Sequence, residues 1–181
     1  KNCEDFDRLE ERYYEKKADE RDKRIYELSS IKLKRSRPKR VGFRHLTMLV
    51  QIHNGNVLRI SKDKDIQKRA ICAKNWVEKY APEEFLFKLH EKIPKDIINK
   101  LDKKQKESLK LLRERIEKKK FSEKELFNEF YEICKEVEIS NIDFFKGAYL
   151  ALIGKEKGPK LASFILAIGK EKVLKLLKEI K

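Results

Sequence analysis

Apolar residues recur at three- and four-residue spacing along almost the whole chain, and this periodicity constrains the fold most. Phe6, Leu9, Tyr13, Ile25 and Leu28 stand among charged neighbours over 5–28, predicting one long helix or two in tandem. The spacing continues through Phe43, Leu46, Leu49 and Val50, then Ile66, Ala70, Ala73, Trp76 and Val77. Later stripes run through Leu109, Leu112 and Ile116, and through Leu126, Phe130, Ile133 and Val137. The last stripes hold Phe144, Phe145, Ala148 and Leu152, and then Val173, Leu176, Leu177 and Ile180. No run of alternating β-branched residues is long enough to require a sheet, and no internal repeat is present. The expected class is all-α: an antiparallel helical bundle or cage of about seven to nine helices joined by brief turns.

Local signals punctuate these helices. Asp63 or Asp65 can cap a helix ending near Tyr80, Ser122–Glu125 is a capping box, and Asn141 is read as a further cap. Pro82 is suited to open a helix over 83–90, as Pro94 is for the next segment. Gly154, Gly158-Pro159 and Gly169 separate the final helices. Cys3, Cys72 and Cys134 are far apart and share no metal-like spacing with His45, His53 or His90, so no zinc site is expected. Cys72 and Cys134 lie in apolar-periodic segments and are assigned to the core. Reduced thiols, no visible signal peptide and no membrane-length apolar run suggest a cytoplasmic protein away from membranes. The chain starts at Lys1 inside a helical pattern, as a piece of a longer protein would.

Charge is unevenly distributed. The 181 residues carry a formal net charge of +15, which favours a polyanionic partner. Between Leu28 and Lys62 there are nine bases and no acid: Lys32, Lys34, Arg35, Arg37, Lys39, Arg40, Arg44, Arg59 and Lys62. Positive charge left uncompensated there would suit phosphate contact. Arg37-Pro38-Lys39-Arg40 breaks the helical pattern, which places a linker and domain boundary at 40, with 1–40 before it and 41–181 after. The mixed-sign surface of 63–139, including Lys118-Lys119-Lys120 at a helix end, reads as solvated.

Arg59-Ile60-Ser61-Lys62-Asp63-Lys64 resembles the KMSKS signature of class I aminoacyl-tRNA synthetases, but too few residues precede it for a nucleotide-binding domain, and no HIGH motif or Gly-rich loop accompanies it. It is a loop with a capping Asp. No paired carboxylates or Ser-His-Asp set marks a catalytic centre. Aromatics interleaved with bases are the more useful pattern for reading RNA loops: Phe43-Arg44-His45, Trp76 near Lys79-Tyr80, and Phe144-Phe145-Lys146 with Tyr149. For any single ring core packing is the favoured reading, and Trp76 in particular lies on the apolar stripe. The strongest local feature is the corner from Gly154 to Lys160, where Lys155 and Lys157 lie in a loop expected to enter a helix at Pro159. Free N–H groups and cations at a helix start form an anion or carbonyl-oxygen site, or else a plain helical corner with surface lysines.

The run GAYLALIGKEKGPKLASFILAIGKEKVLKLLKEI (Gly147–Ile180) resembles the extreme C-terminus of class I lysyl-tRNA synthetases. FDRLEERYY (Phe6–Tyr14), RIYELS (Arg24–Ser29) and GFRHLTMLVQI (Gly42–Ile52) are similar to segments that follow that family's catalytic domain. The resemblance implies that 1–40 ends a stem-contact domain and that 41–181 is an all-helical anticodon-binding domain for lysine tRNA, tRNA(Lys). It further implies contact with the anticodon loop and stem beside a parent catalytic domain that uses ATP and Mg. This piece, a monomer, would hold no cofactor of its own and would only bind RNA. The candidate RNA-binding residues are Arg37, Arg40, Arg44, His45, Trp76, Lys146, Tyr149, Lys155, Lys157, Gly158, Pro159 and Lys160. A related glutamyl-tRNA synthetase, a sequence-indifferent basic RNA binder and a helical scaffold are the alternatives.

Overall fold

A computed structural model describes residues 2–180, and none of these lies in a β-strand. Ten α-helices form among them, slightly more than the seven to nine expected: α1 (Asn2–Tyr14), α2 (Glu20–Ser29), α3 (Phe43–Ile52), α4 (Lys64–Lys79), α5 (Lys95–Lys100), α6 (Lys103–Lys118), α7 (Glu123–Val137), α8 (Asn141–Ile153), α9 (Leu161–Ile168) and α10 (Lys170–Leu177). The chain divides into two compact units, Lys1–Ala81 and Pro82–Lys181.

In the first unit the amino-terminal stripe splits into two helices. Lys16 takes a left-handed conformation (φ 58°) just beyond α1, and the Asp19 carboxylate caps α2 by accepting from the Asp22 N–H. The stripe's rings meet around the buried Tyr26, with centroids 5.6 Å away for Phe6 and 4.5 Å for Tyr13. Across α3 and α4, Leu46 and Val50 pack on Ala70 and Ala73, whose small side chains let the helices approach closely. Cys72 is exposed rather than core. It follows Ala70 by two residues, about 200° around the helix at 3.6 residues per turn, and so faces away from the buried stripe. Cys134 is buried as expected.

The break in compactness falls at Ala81/Pro82, not at 40. Residues 41–81 join 1–40 because α1 packs on α3, and ion pairs from α1 reach Arg40, Arg44 and Arg69. The basic segment 30–42 is irregular, yet it belongs to this unit.

In the second unit α6 packs against α7, α8 and α10, and α7 against α8 and α9. Phe130, Phe144, Phe164, Leu109, Leu112 and Leu176 are fully buried at the centre. Residues 83–90 do not form the expected helix. Only Glu83–Phe85 makes a 3-10 turn, because the following backbone pairs with other elements. The His90 N–H donates to the Leu152 carbonyl, and the Ile93 N–H to the Glu179 carboxylate. These groups at the ends of α8 and α10 outcompete helical bonding.

Caps account for the helix starts. Asp63 caps α4 and Asp102 forms a capping box with Gln105 on α6. Ser140, not Asn141, caps α8, its hydroxyl accepting from the Asp143 N–H. On α7 the Ser122 backbone N–H and hydroxyl both donate to Glu125, at 2.8 and 2.7 Å, with Lys119 also donating. The Ser122 backbone, then its hydroxyl, then Lys119 hold this carboxyl down at about 2. Its support for α7 is complete above the ordinary value of 4.5 and is lost as pH falls through about 2. NMR titration of Glu125 is expected to show that low midpoint, and Ser122→Ala to move it upward; a midpoint near 4.5 in the unaltered chain would contradict the box.

Candidate nucleic-acid interface

The acid-free stretch does not remain uncompensated once folded. Glu4, Asp7 and the pair Glu10-Glu11 recur at three- to four-residue spacing on one face of α1, and the glutamates meet the stretch's arginines in reverse sequence order. Glu4 pairs with Arg44 at 3.4 Å, Glu10 with Arg40 at 2.8 Å and Glu11 with Arg37 at 3.0 Å. Asp7 takes Arg69 of α4, with one oxygen at 2.6 Å. Lys34 reaches Asp65 at 3.2 Å, and the Tyr14 hydroxyl donates to the Lys34 carbonyl. Arg40 grips both Glu10 oxygens in a two-pronged pair, and Tyr26 donates to the same carboxylate. Burial alone would raise the Glu10 carboxyl; the Arg40 and Tyr26 hydrogen bonds outweigh it and hold the group below its ordinary range.

Three predicted RNA contacts, Arg37, Arg40 and Arg44, are therefore engaged within the protein. His45 is exposed beside Arg44. Trp76 is half-buried and meets Phe43 edge-on at 6.1 Å. It serves the α3–α4 packing.

The corner between α8 and α9 is built on a buried ring. Gly154 ends α8 in a left-handed conformation (φ 70°) that favours glycine. Tyr149 is only 9% exposed, and its hydroxyl donates to the Pro159 carbonyl. A Cβ on Gly158 would lie 2.8 Å from the Tyr149 ring, so glycine there lets the turn close onto the ring. Burial pushes the Tyr149 phenol up to about 12, and the group stays a donor. The ring is a support under the turn and not a surface on which a base could stack.

The corner's lysines divide in two. Lys155 donates to the Glu83 carbonyl at 2.9 Å, and Lys146 pairs with Glu156 at 2.7 Å. Lys157 and Lys160 are exposed and make no ion pair among the described residues. The helix starts at Leu161 rather than Pro159, with Lys160 as its N-cap and no side-chain cap on the first turn. The α9 amide groups of that turn therefore lack an intrahelical partner. Glu123 lies nearby, accepting from the Ser163 hydroxyl. Sequence spacing could not reveal Glu83 or Glu123 as neighbours of this corner, since both are distant in sequence, whereas Glu156 lies within it. Among the described residues, no group of three or more His, Cys, Asp and Glu is placed to hold a metal.

Residues 64–181, from the first residue of α4 through the whole second unit, match the anticodon binding domain family. The chain belongs to that family. As an anticodon-binding-domain protein it is also similar, over nearly its full length, to curated lysine–tRNA ligases. The relative from Borreliella burgdorferi is 40% identical over 96% of this chain and 36% of its own length. Those from Thermococcus kodakarensis and Methanocaldococcus jannaschii are 34% and 30% identical, covering 96% and 94% of this chain and 37% of each relative. The chain thus spans little more than a third of the length of these relatives. Among its described residues no helix is long and apolar enough to cross a membrane.

Proposed function

We propose that this chain is the tRNA-reading part of a class I lysyl-tRNA synthetase and that its second unit receives the anticodon loop of lysine tRNA. The observation that carries this reading is the family match over 64–181, which includes the exposed Lys157, Lys160 and uncapped α9 turn. Lysine is favoured over glutamate as the amino acid because the relatives covering 96% of the chain are lysine–tRNA ligases.

The chemistry suits uridine, which lysine anticodons carry at their second and third positions. Each uridine offers two carbonyl oxygens as acceptors and one N–H donor. Ammonium groups at 157 and 160 and the free α9 amides supply donors, and the Glu123 carboxylate supplies an acceptor at the same turn. ATP and Mg would be held, and lysine attached, by the portion of the ligase beyond this chain, with the chain acting as a monomer in the cytoplasm.

The test compares lysine-tRNA transcript with one altered at both anticodon uridines, titrated against the chain at several salt concentrations. The reading predicts tighter binding of the unaltered transcript. Lys157→Ala and Lys160→Ala should each weaken that binding by roughly tenfold, the scale of one charge-assisted hydrogen bond, without lowering the melting temperature. Equal, salt-dependent affinity for both transcripts would mark a sequence-indifferent binder. No affinity at low salt would mark a scaffold.

A further inference from the structure

Segment 30–42, between α2 and α3, has two chemically distinct edges. Lys34, Arg37 and Arg40 are paired with Asp65, Glu11 and Glu10. Lys32, Arg35 and Lys39, interleaved with them, are exposed and make no ion pair among the described residues. One set of bases fastens the segment to α1 and α4; the other points to solvent. The α1 acids that would cancel the outward charge are already taken by the inward set and by Arg44 and Arg69.

We propose that Lys32, Arg35 and Lys39 form a track for the phosphate backbone of a tRNA helix, while Lys34, Arg37 and Arg40 hold the track in place. The choice of RNA as partner rests on the function proposed above. The choice of backbone over bases rests on the segment itself. Residues 30–42 contain no aromatic ring and no Asn or Gln, so they lack the stacking surfaces and amide forks that read unpaired bases. Cations without such groups position a nucleic acid and carry no sequence information. Neighbours three and four residues apart in an irregular chain lie at most about 14 Å apart, on the order of the Debye length at physiological salt. The three cations can therefore act together along one stretch of phosphate backbone. This surface is separate in sequence from the corner around Lys160, and it makes a different contribution: register and affinity, with no anticodon preference.

The test uses the whole chain with lysine-tRNA transcript and the anticodon-altered transcript. The triple variant K32A/R35A/K39A should flatten the dependence of log K on log salt by about 2 to 3, equally for both transcripts. The ratio of affinities between the transcripts should not change. The charge-keeping variant K32R/K39R should retain the full slope, and circular dichroism should show unaltered helix in both. An unchanged slope in the triple variant overturns the track. If the unaltered chain binds both transcripts equally while the triple variant still loses slope, the anticodon reading fails and the track stands. Absence of tRNA binding by the unaltered chain at low salt overturns both.

Discussion

Arg40→Ala is expected to destabilise the first unit by about 2–3 kcal/mol, the upper end of the cost of leaving one buried polar group short of a partner, because Glu10 is buried while Arg40 reaches water. The cost arises on Glu10, which is 1% exposed and would keep only the Tyr26 hydroxyl as partner. Glu10→Gln should cost less, because a neutral amide is cheaper to bury than an orphaned carboxylate and Arg40 retains access to water. The pH dependence has a definite sign. In the unaltered chain the Glu10 carboxyl is held below 4.5, so its contribution is full above that value and is lost as pH falls through the folded pKa. In Arg40→Ala burial acts with far less opposition and raises the group. The gap between the two proteins should then be widest at neutral pH and narrow as acid protonates Glu10. Thermal melts across that range check this, and a gap that widens in acid would contradict the assignment.

Tyr149→Ala should cost the second unit about 3–5 kcal/mol, as expected for deleting a buried aromatic ring. It should also loosen the turn that presents Lys157 and Lys160. Tyr149→Phe keeps the ring and loses only the hydrogen bond to Pro159, about 1 kcal/mol. Because the folded phenol titrates near 12 and its ordinary value is 10, stability should fall as pH rises from 10 towards 12. That decline should be reduced in Tyr149→Phe. Melting curves of both variants, with tRNA affinity measured beside them, separate support of the turn from contact with RNA. Affinity lost fully in Tyr149→Phe, with stability intact, would show that the hydroxyl touches RNA instead.

Helix periodicity made the architecture legible because the buried stripes at 109–116, 126–137 and 173–180 need only local spacing to be seen. The caps at Asp63 and Ser122 are legible for the same reason, whereas the Asp102 box emerges only in the structure. Residues 83–93 were not, since their backbone partners, Leu152 and Glu179, are distant in sequence. The same limit governed the candidate site. The absence of acids from 28–62 was a correct count, but α1 and Asp65 supply the missing carboxylates through space. Arg37 and Arg40 therefore looked available when the outward residues are Lys32, Arg35 and Lys39. Tyr149 looked like a stacking ring because an aromatic among lysines has one appearance in sequence, whether it faces solvent or lies beneath Gly158. Lys157 and Lys160 are exposed at the corner while their neighbour Lys155 donates to the Glu83 carbonyl, a division that sequence cannot show, and similarity to lysine–tRNA ligases is visible in the run from Gly147 to Ile180.

The most direct test of the central claim is chemical footprinting of lysine-tRNA transcript bound to the 181-residue chain. The account predicts protection concentrated on the anticodon nucleotides, with the two uridines shielded on their base-pairing edges, and loss of that protection in the Lys157→Ala, Lys160→Ala double variant. Protection confined to the backbone of the stems, with the anticodon bases as reactive as in free tRNA, would contradict it.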